Sequence, residues 1–234
     1  MDKEIIEEKR NFLLYFCKGY QDYGNDMVEA DNFEDVKFFL VGLCNRALAL
    51  NLGFIDLTTS KFENYLAAIP LIRLMLDNAM TGYAFFMAGD TFEERLKYIQ
   101  HIRKGKEIHL FKTPNKKILL EKFIINEMSH EIQGIRPLYK KASSYIHYSG
   151  NLINASAQIK GNQMRMHVND LAGIYTDEER LEFWEDMIGA NIYMSLIITK
   201  WDDYIRETII PFIERKIEAN RETIERLLKE MNNQ

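Results

Sequence analysis

The feature that most constrains the fold is an ion-pair spacing inside an otherwise apolar run. From residue 67 to residue 77 only Arg73 and Asp77 are charged, and they lie four residues apart. That spacing places both side chains on one face of a helix. A helix that is apolar nearly all round is buried, and buried charges need polar partners. The run therefore predicts a helix inside a bundle, where polar groups from another segment meet Arg73 and Asp77.

Composition narrows the class of protein. The 234 residues are 47% hydrophobic and 28% charged, which suits one globular domain. The net charge of -5 argues against a dedicated nucleic-acid-binding protein, although short basic segments at 103–106 and 112–117 could contact phosphate. Cys17 and Cys44 lie in apolar stretches and are expected to be free thiols in a reducing compartment. Without a signal-like start or a run of about 20 apolar residues, we expect a cytoplasmic protein with no membrane partner.

Apolar residues recur at helical spacing along almost the whole chain, which has only four prolines and twelve glycines. This pattern predicts an all-α, single-domain bundle of about seven or eight helices. A small hairpin is expected near 157–168, where apolar and polar residues alternate. The expected helices cover about 3–20, 33–52, 60–87, 91–104, 115–131, 136–149 and 176–211.

Local signals place the ends of several of these helices. Gly53 is expected to stop the second helix. Asp90 or Thr91 is expected to cap the fourth, because each has a glutamate three residues later. Pro70 is expected to kink the third helix, and Pro211 is expected to kink or break the last helix of the bundle.

The C-terminal part of the chain has a different pattern. Residues 1–211 are assigned to the bundle, and 212–234 to an amphipathic helix that packs on the bundle or on a partner subunit. Its apolar residues step by four and three among charges, which is typical of a narrow coiled-coil seam and favours a homodimer. The seam residues are Ile213, Ile217, Asn220, Ile224, Leu227 and Met231.

The candidate site combines the third and sixth expected helices. Tyr139, Ser143 and His147 follow one another at intervals of four and form a polar stripe beside the apolar face of the sixth helix. Arg73 and Asp77 are suitable partners, because Asp77 could accept a hydrogen bond from the imidazole and fix its tautomer. The five residues predict either a ligand site or a structural network that sets helix register.

Three other patterns indicate chemistry less specifically. Arg103 and His109 have the spacing of the active motif in HEPN (higher eukaryote and prokaryote nucleotide-binding) ribonuclease domains, but Gly105 lies between them. Glu127 and His130 match half of a di-iron carboxylate motif, and the second half is missing. Ser143 and His147 on one helix lack the strand-to-helix turn of a hydrolase nucleophile. No metal, cofactor or catalytic residue is assigned.

The stretch from about 64 to 148 resembles a bacterial family of helical proteins. Members carry an Arg-x-x-x-acid helix, an Asp-x-x-x-Glu-Arg helix start and a Tyr-x-x-x-Ser-x-x-x-His helix. The matching residues are Arg73, Asp77, Asp90, Glu94, Arg95, Tyr139, Ser143 and His147. The resemblance implies an all-α bundle with converging polar residues, and a distant likeness to HEPN bundles.

These observations leave three functions open. One is a bundle that binds a small ligand or nucleotide at Arg73, Asp77, Tyr139, Ser143 and His147. The second is a dimeric interaction protein that uses the C-terminal seam. The third is a metal-independent, HEPN-like ribonuclease in stress or phage defence, with RNA as the partner. Whether the protein is an enzyme stays open.

Overall fold

A computed structural model describes residues 3–29, 34–61, 63–146, 157–160, 163–166 and 175–215, together with positions 218 and 221. The protein is all-helical in class, as the apolar spacing predicts. The helices are α1 Lys3–Glu29, α2 Glu34–Thr59, α3 Tyr65–Met87, α4 Phe92–Arg103, α5 Glu121–Glu131, α6 Ile135–Ile146 and α7 Asp177–Tyr204.

Side-chain caps start three of the helices. Thr91 accepts a hydrogen bond from the backbone N–H of Glu94, whose carboxylate accepts from the N–H of Thr91 in return. Thr176 and Glu179 make the same reciprocal pair at the start of α7. The Asn64 side chain accepts from the N–H of Ala67 and caps α3. These bonds satisfy backbone donors that a helix start otherwise leaves unpaired.

The prediction that Gly53 ends the second helix is wrong. Helix α2 continues to Thr59, and Phe54, Ile55 and Thr58 are buried beyond the glycine. A Cβ at Gly53 would lie 3.4 Å from Leu71 Cδ1, so the glycine allows close packing of α2 on α3. Burial of the next helical turn therefore outweighs the glycine's weak helix preference.

The fifth helix begins later than predicted, at Glu121. The preceding chain holds a one-turn 3₁₀ helix at Ile108–Leu110 and an isolated antiparallel bridge between Lys112 and Ile118. Lys116 has a left-handed backbone with φ of 59° in the turn between them. Helical apolar spacing cannot reveal such a turn, because it depends on one residue's backbone angle.

Helix α3 lies at the centre of the first part of the bundle. It packs against α2, α4, α5 and α6. Trp184 of α7 is fully buried, donates to the hydroxyl of Tyr65 of α3 at 3.2 Å and packs edge-on against Phe54 of α2. Pro70 lies inside α3 without ending it, as predicted, and the kink expected there stays a prediction.

A polar network crosses the core between α1, α2 and α7. The amides of Asn51 and Asn191 donate to each other's side-chain oxygens, both at 2.8 Å. The Tyr20 hydroxyl donates to Asn191 Oδ1 at 3.1 Å. All three residues are buried, and each amide therefore depends on its neighbours for hydrogen bonds.

Strands β1 Ala157–Lys160 and β2 Gln163–Met166 pair antiparallel and form a short hairpin. The pairing joins Ala157 to Met166 and Lys160 to Gln163. The hairpin lies within the range expected from the alternating pattern.

The chain divides into two compact units, Met1–Ser195 and Leu196–Gln234. In the second unit α7 widens into a π-helical turn at Ile205–Ile209 and then continues as helix through 210–215. Pro211 has no N–H to close the α-helical bond to residue 207, so the wider turn before it is physically reasonable. Apart from Ile213, the seam residues lie outside the described part of the chain, and the homodimer stays a prediction.

Helix α2 is the one described helix that is long and apolar enough, by length and composition alone, to cross a bilayer. The sequence-based expectation that no run qualifies is therefore wrong on this criterion. Half of its most apolar stretch is buried inside the fold, as is also found for core helices of soluble proteins.

We predict that Asn51→Ala lowers the free energy of unfolding by about 1–3 kcal/mol, because it leaves the buried Asn191 amide short of a partner. Asn11→Ala, at an exposed position of α1, is the matched control and should change stability by less than about 0.5 kcal/mol. Urea denaturation of both variants measures the difference. Equal stabilities for the two variants would contradict the role of the amide pair.

Candidate functional site

The site is centred on Arg73, which projects from the middle of α3. Its side chain is 7% exposed, although the residue carries a full charge. The neighbouring Ile72, Met75 and Leu76 are fully buried and hold this part of α3 inside the bundle. Burial of a guanidinium is costly unless its N–H groups are paired, so its surroundings must supply acceptors.

Three helices supply those acceptors. Arg73 Nε donates to Ser143 Oγ of α6 at 3.1 Å. One terminal nitrogen donates to the Tyr139 hydroxyl and lies 3.2 Å from Glu121 Oε2 at the start of α5. The other terminal nitrogen forms an ion pair with Asp77, one turn further along α3. The guanidinium therefore joins α3, α5 and α6.

Tyr139 links the arginine to Glu121. Its hydroxyl accepts from Arg73 and donates to Glu121 Oε2 at 2.7 Å. Its ring also lies under the guanidinium, with the central carbon 4.0 Å from the ring centroid. A hydroxyl that accepts from a cation and donates to an anion is polarised in both directions, which strengthens the two bonds.

Burial shifts the pKa values in this cluster. It lowers the pKa of Arg73, and the nearby Tyr139 and Glu121 partly oppose that shift. It raises the pKa of Tyr139, and the bond to the Glu121 carboxylate raises it further. The phenol therefore remains a hydrogen-bond donor to Glu121 at neutral pH.

The structure brings together four of the five residues proposed from sequence: Arg73, Asp77, Tyr139 and Ser143. His147 lies outside the described residues, so its predicted bond with Asp77 stays a prediction. Asp77 pairs with Arg73 itself.

Sequence reasoning missed Glu121. Its place beside Arg73 depends on the path of the chain from α4 to α5, and no spacing along one helix could have revealed it. The only local signal was its position in the first turn of a helix, where acidic residues are common.

A second polar cluster, also missed, lies between α6 and α7. Lys141 Nζ is 2.6 Å from both Glu182 Oε1 and Asp186 Oδ2, and the Tyr145 hydroxyl donates to Asp186 at 3.1 Å. Burial raises the pKa of Asp186. Burial opposes the charge on Lys141, but its carboxylate partners outweigh that effect and raise its pKa. Two pairs at a spacing of four, 141 with 145 and 182 with 186, were the signal in the sequence.

The residues of the ribonuclease-like motif lie in different elements. Arg103 ends α4, forms an ion pair with Asp35 of α2 and lies 5.1 Å from the centroid of the Phe38 ring. His109 belongs to the 3₁₀ turn beyond Gly105, and its Nδ1 is 3.1 Å from Glu107 Oε2. Among the described residues, no group of three or more His, Cys, Asp or Glu side chains could hold a metal ion.

The arrangement at Arg73 is suited to binding an anion rather than to nucleophilic chemistry. Ser143 donates its proton to the backbone carbonyl of Tyr139 at 2.7 Å and accepts from a guanidinium. Neither partner is a base that could activate the hydroxyl. The Arg73 guanidinium and the Tyr139 hydroxyl can donate hydrogen bonds to a carboxylate or phosphate, and Ser143 holds the guanidinium in place.

We predict that Tyr139→Phe lowers the free energy of unfolding by about 1–3 kcal/mol, because a buried Arg73 donor loses its acceptor. Tyr15→Phe is the matched control, since Tyr15 is 74% exposed, and it should be nearly neutral. Chemical denaturation measures both. If the two variants were equally stable, the Tyr139 hydroxyl would not be part of the support for Arg73.

Comparison with protein-family models, curated proteins and solved structures finds no match to this chain. The resemblance to a bacterial helical family therefore rests on the short motifs in the sequence and stays a prediction.

Proposed function

We propose that this chain is a helical binding module that holds a small anionic ligand, such as a nucleotide phosphate, at Arg73 and Tyr139, with Ser143 positioning the guanidinium. The site lies between α3 and α6, with α5 at its edge. On this proposal Glu121 occupies the position of the ligand's anionic group when the ligand is absent.

The observation that supports the proposal is the contrast between Arg73 and Glu121. The arginine side chain is 7% exposed, whereas the carboxylate facing its terminal nitrogen belongs to a side chain that is 69% exposed. A cation held inside the fold thus has one partner that can move into water at little cost. Another anion can take that partner's place.

The local charges favour such an exchange. Asp77 already balances the charge of Arg73, so Glu121 adds a surplus negative charge to the cluster. A phosphate or carboxylate group would take over the contacts that Glu121 makes with Arg73 and Tyr139. Arginine's planar fork pairs well with both groups, and the adjacent Tyr139 ring offers an apolar surface.

The test is binding of adenosine monophosphate and of inorganic phosphate, measured by isothermal titration calorimetry. Glu121→Gln removes the competing charge. This variant should bind both anions about three- to tenfold more tightly than the wild-type protein does. Glu107→Gln is the matched control, because Glu107 is 70% exposed and pairs with His109 instead. Tyr139→Phe should weaken binding.

Two results would contradict the proposal. In the first, neither the wild-type protein nor Glu121→Gln binds either anion, and Glu121→Gln lowers the free energy of unfolding. The cluster would then be a structural network. In the second, Glu121→Gln and Glu107→Gln change the affinity for the anion equally. Binding would then depend on the overall charge of the protein and not on the site at Arg73. A third result would favour the ribonuclease alternative. It is metal-independent cleavage of RNA that Arg103→Ala abolishes and Tyr139→Phe retains.

A further inference from the structure

The connection between α4 and α5, residues 104–120, is strongly basic and is called the basic loop below. It contains five lysines and one glutamate, a net charge of +4 in a chain whose total is -5. The rest of the chain therefore carries -9. All five lysines are exposed: Lys104, Lys106, Lys112, Lys116 and Lys117.

The basic loop also exposes aliphatic side chains. Leu110, Ile118 and Leu120 are 58%, 44% and 53% exposed. Between them, Phe111 and Leu119 are buried. Side chains alternate between the two faces of an extended chain, and the bridge joins Lys112 to Ile118. Lys112 and Ile118 are therefore presented on one face of the loop, and the exposed Leu110 and Leu120 each lie two residues from this pair.

Internal contacts hold this face in place. The Phe111 ring packs edge-on against Tyr98 and His101 of α4, with centroids 5.4 Å apart in both pairs. His101 Nε2 donates to the Glu107 carbonyl at 2.9 Å. Thr113 N donates to the Lys117 carbonyl at 3.0 Å, and its hydroxyl accepts from Lys117 N at 3.1 Å. Connections of this length in compact domains are uncommon and are often functional.

We propose that the basic loop docks the protein on the surface of an anionic lipid bilayer. Leu110, Ile118 and Leu120 would enter the region between headgroups and acyl chains, and the lysines would contact lipid phosphates. Peripheral binding of this kind draws on both buried apolar area and attraction to anionic lipid. It needs no spanning segment, but it differs from the sequence-based expectation that the protein has no membrane partner.

The side-chain types favour a membrane over a nucleic acid. Single-stranded nucleic acid is usually bound by aromatic side chains that stack on bases, and arginine is a frequent partner. The basic loop contains no arginine, and its one aromatic residue other than His109 is the buried Phe111. Exposed leucine and isoleucine gain nothing from contact with phosphates, but they gain from leaving water for a lipid interface.

The test is co-sedimentation of the full chain with vesicles. Vesicles of equal parts phosphatidylcholine and phosphatidylglycerol should bind the protein, and vesicles of phosphatidylcholine alone should bind it much more weakly. Raising the salt concentration from about 0.1 M to about 1 M should release most of the bound protein, because it screens the lysines. These comparisons use the wild-type chain and do not depend on the folding of any variant.

Two triple variants separate the contributions. Lys112→Glu with Lys116→Glu and Lys117→Glu should lower vesicle partitioning by more than about tenfold. Leu110→Ser with Ile118→Ser and Leu120→Ser should lower it by at least about tenfold. The matched controls are Lys18→Glu and Leu52→Ser, which are exposed on α1 and α2 and should retain binding. Circular dichroism checks that each variant keeps its helices.

Three outcomes would overturn the proposal. The first is equal binding to vesicles with and without phosphatidylglycerol. The second is binding to anionic vesicles that both triple variants and both controls retain equally. The third is tight binding of a single-stranded RNA, lost in the lysine variant, without any binding to vesicles. The triple variants leave Arg73, Tyr139 and Glu121 in place, so failure of this test would not contradict the anion site at Arg73.

Discussion

The packing of α3, α5 and α6 depends on one buried cation. Arg73 is enclosed by apolar residues of α3, and it meets Ser143 and Tyr139 from α6 and Glu121 from α5. A charge removed from water is stable only where its partners are correctly placed. Because the N–H groups of the guanidinium point in fixed directions, the guanidinium stabilises one relative position of the three helices.

The Asn51 network and the Arg73 cluster, both in the first unit, act in different ways. The Asn51 network is neutral and buried, and its members Asn51, Asn191 and Tyr20 bond to one another rather than to water. These bonds fix the alignment of α1, α2 and α7. The Arg73 cluster has an exposed carboxylate at its edge. That difference is the physical reason for proposing the ligand site at the Arg73 cluster and a structural role for the Asn51 network.

Much of the fold could be predicted from the sequence. The 3.6-residue spacing identified the helical class, and the buried run around Arg73 and Asp77 identified α3 as a helix that needs polar partners. Tyr139 and Ser143 could be found because they repeat every four residues beside an apolar face. Glu121 could not be found in this way, since its contact with Arg73 depends on the path of the basic loop. Helix α2 passes Gly53 for a similar reason: its last turns are held by tertiary burial rather than by local preference.

The most direct test of the account is hydrogen exchange at arginine Nε–H groups, measured by ¹⁵N NMR and assigned with Arg73→Lys. Because the Arg73 Nε–H is buried and donates to Ser143, it should exchange at least about tenfold more slowly than that of exposed Arg46, and Ser143→Ala should accelerate it. Exchange of the Arg73 signal as fast as that of Arg46, unchanged by Ser143→Ala, would contradict the claim that a buried guanidinium joins these helices.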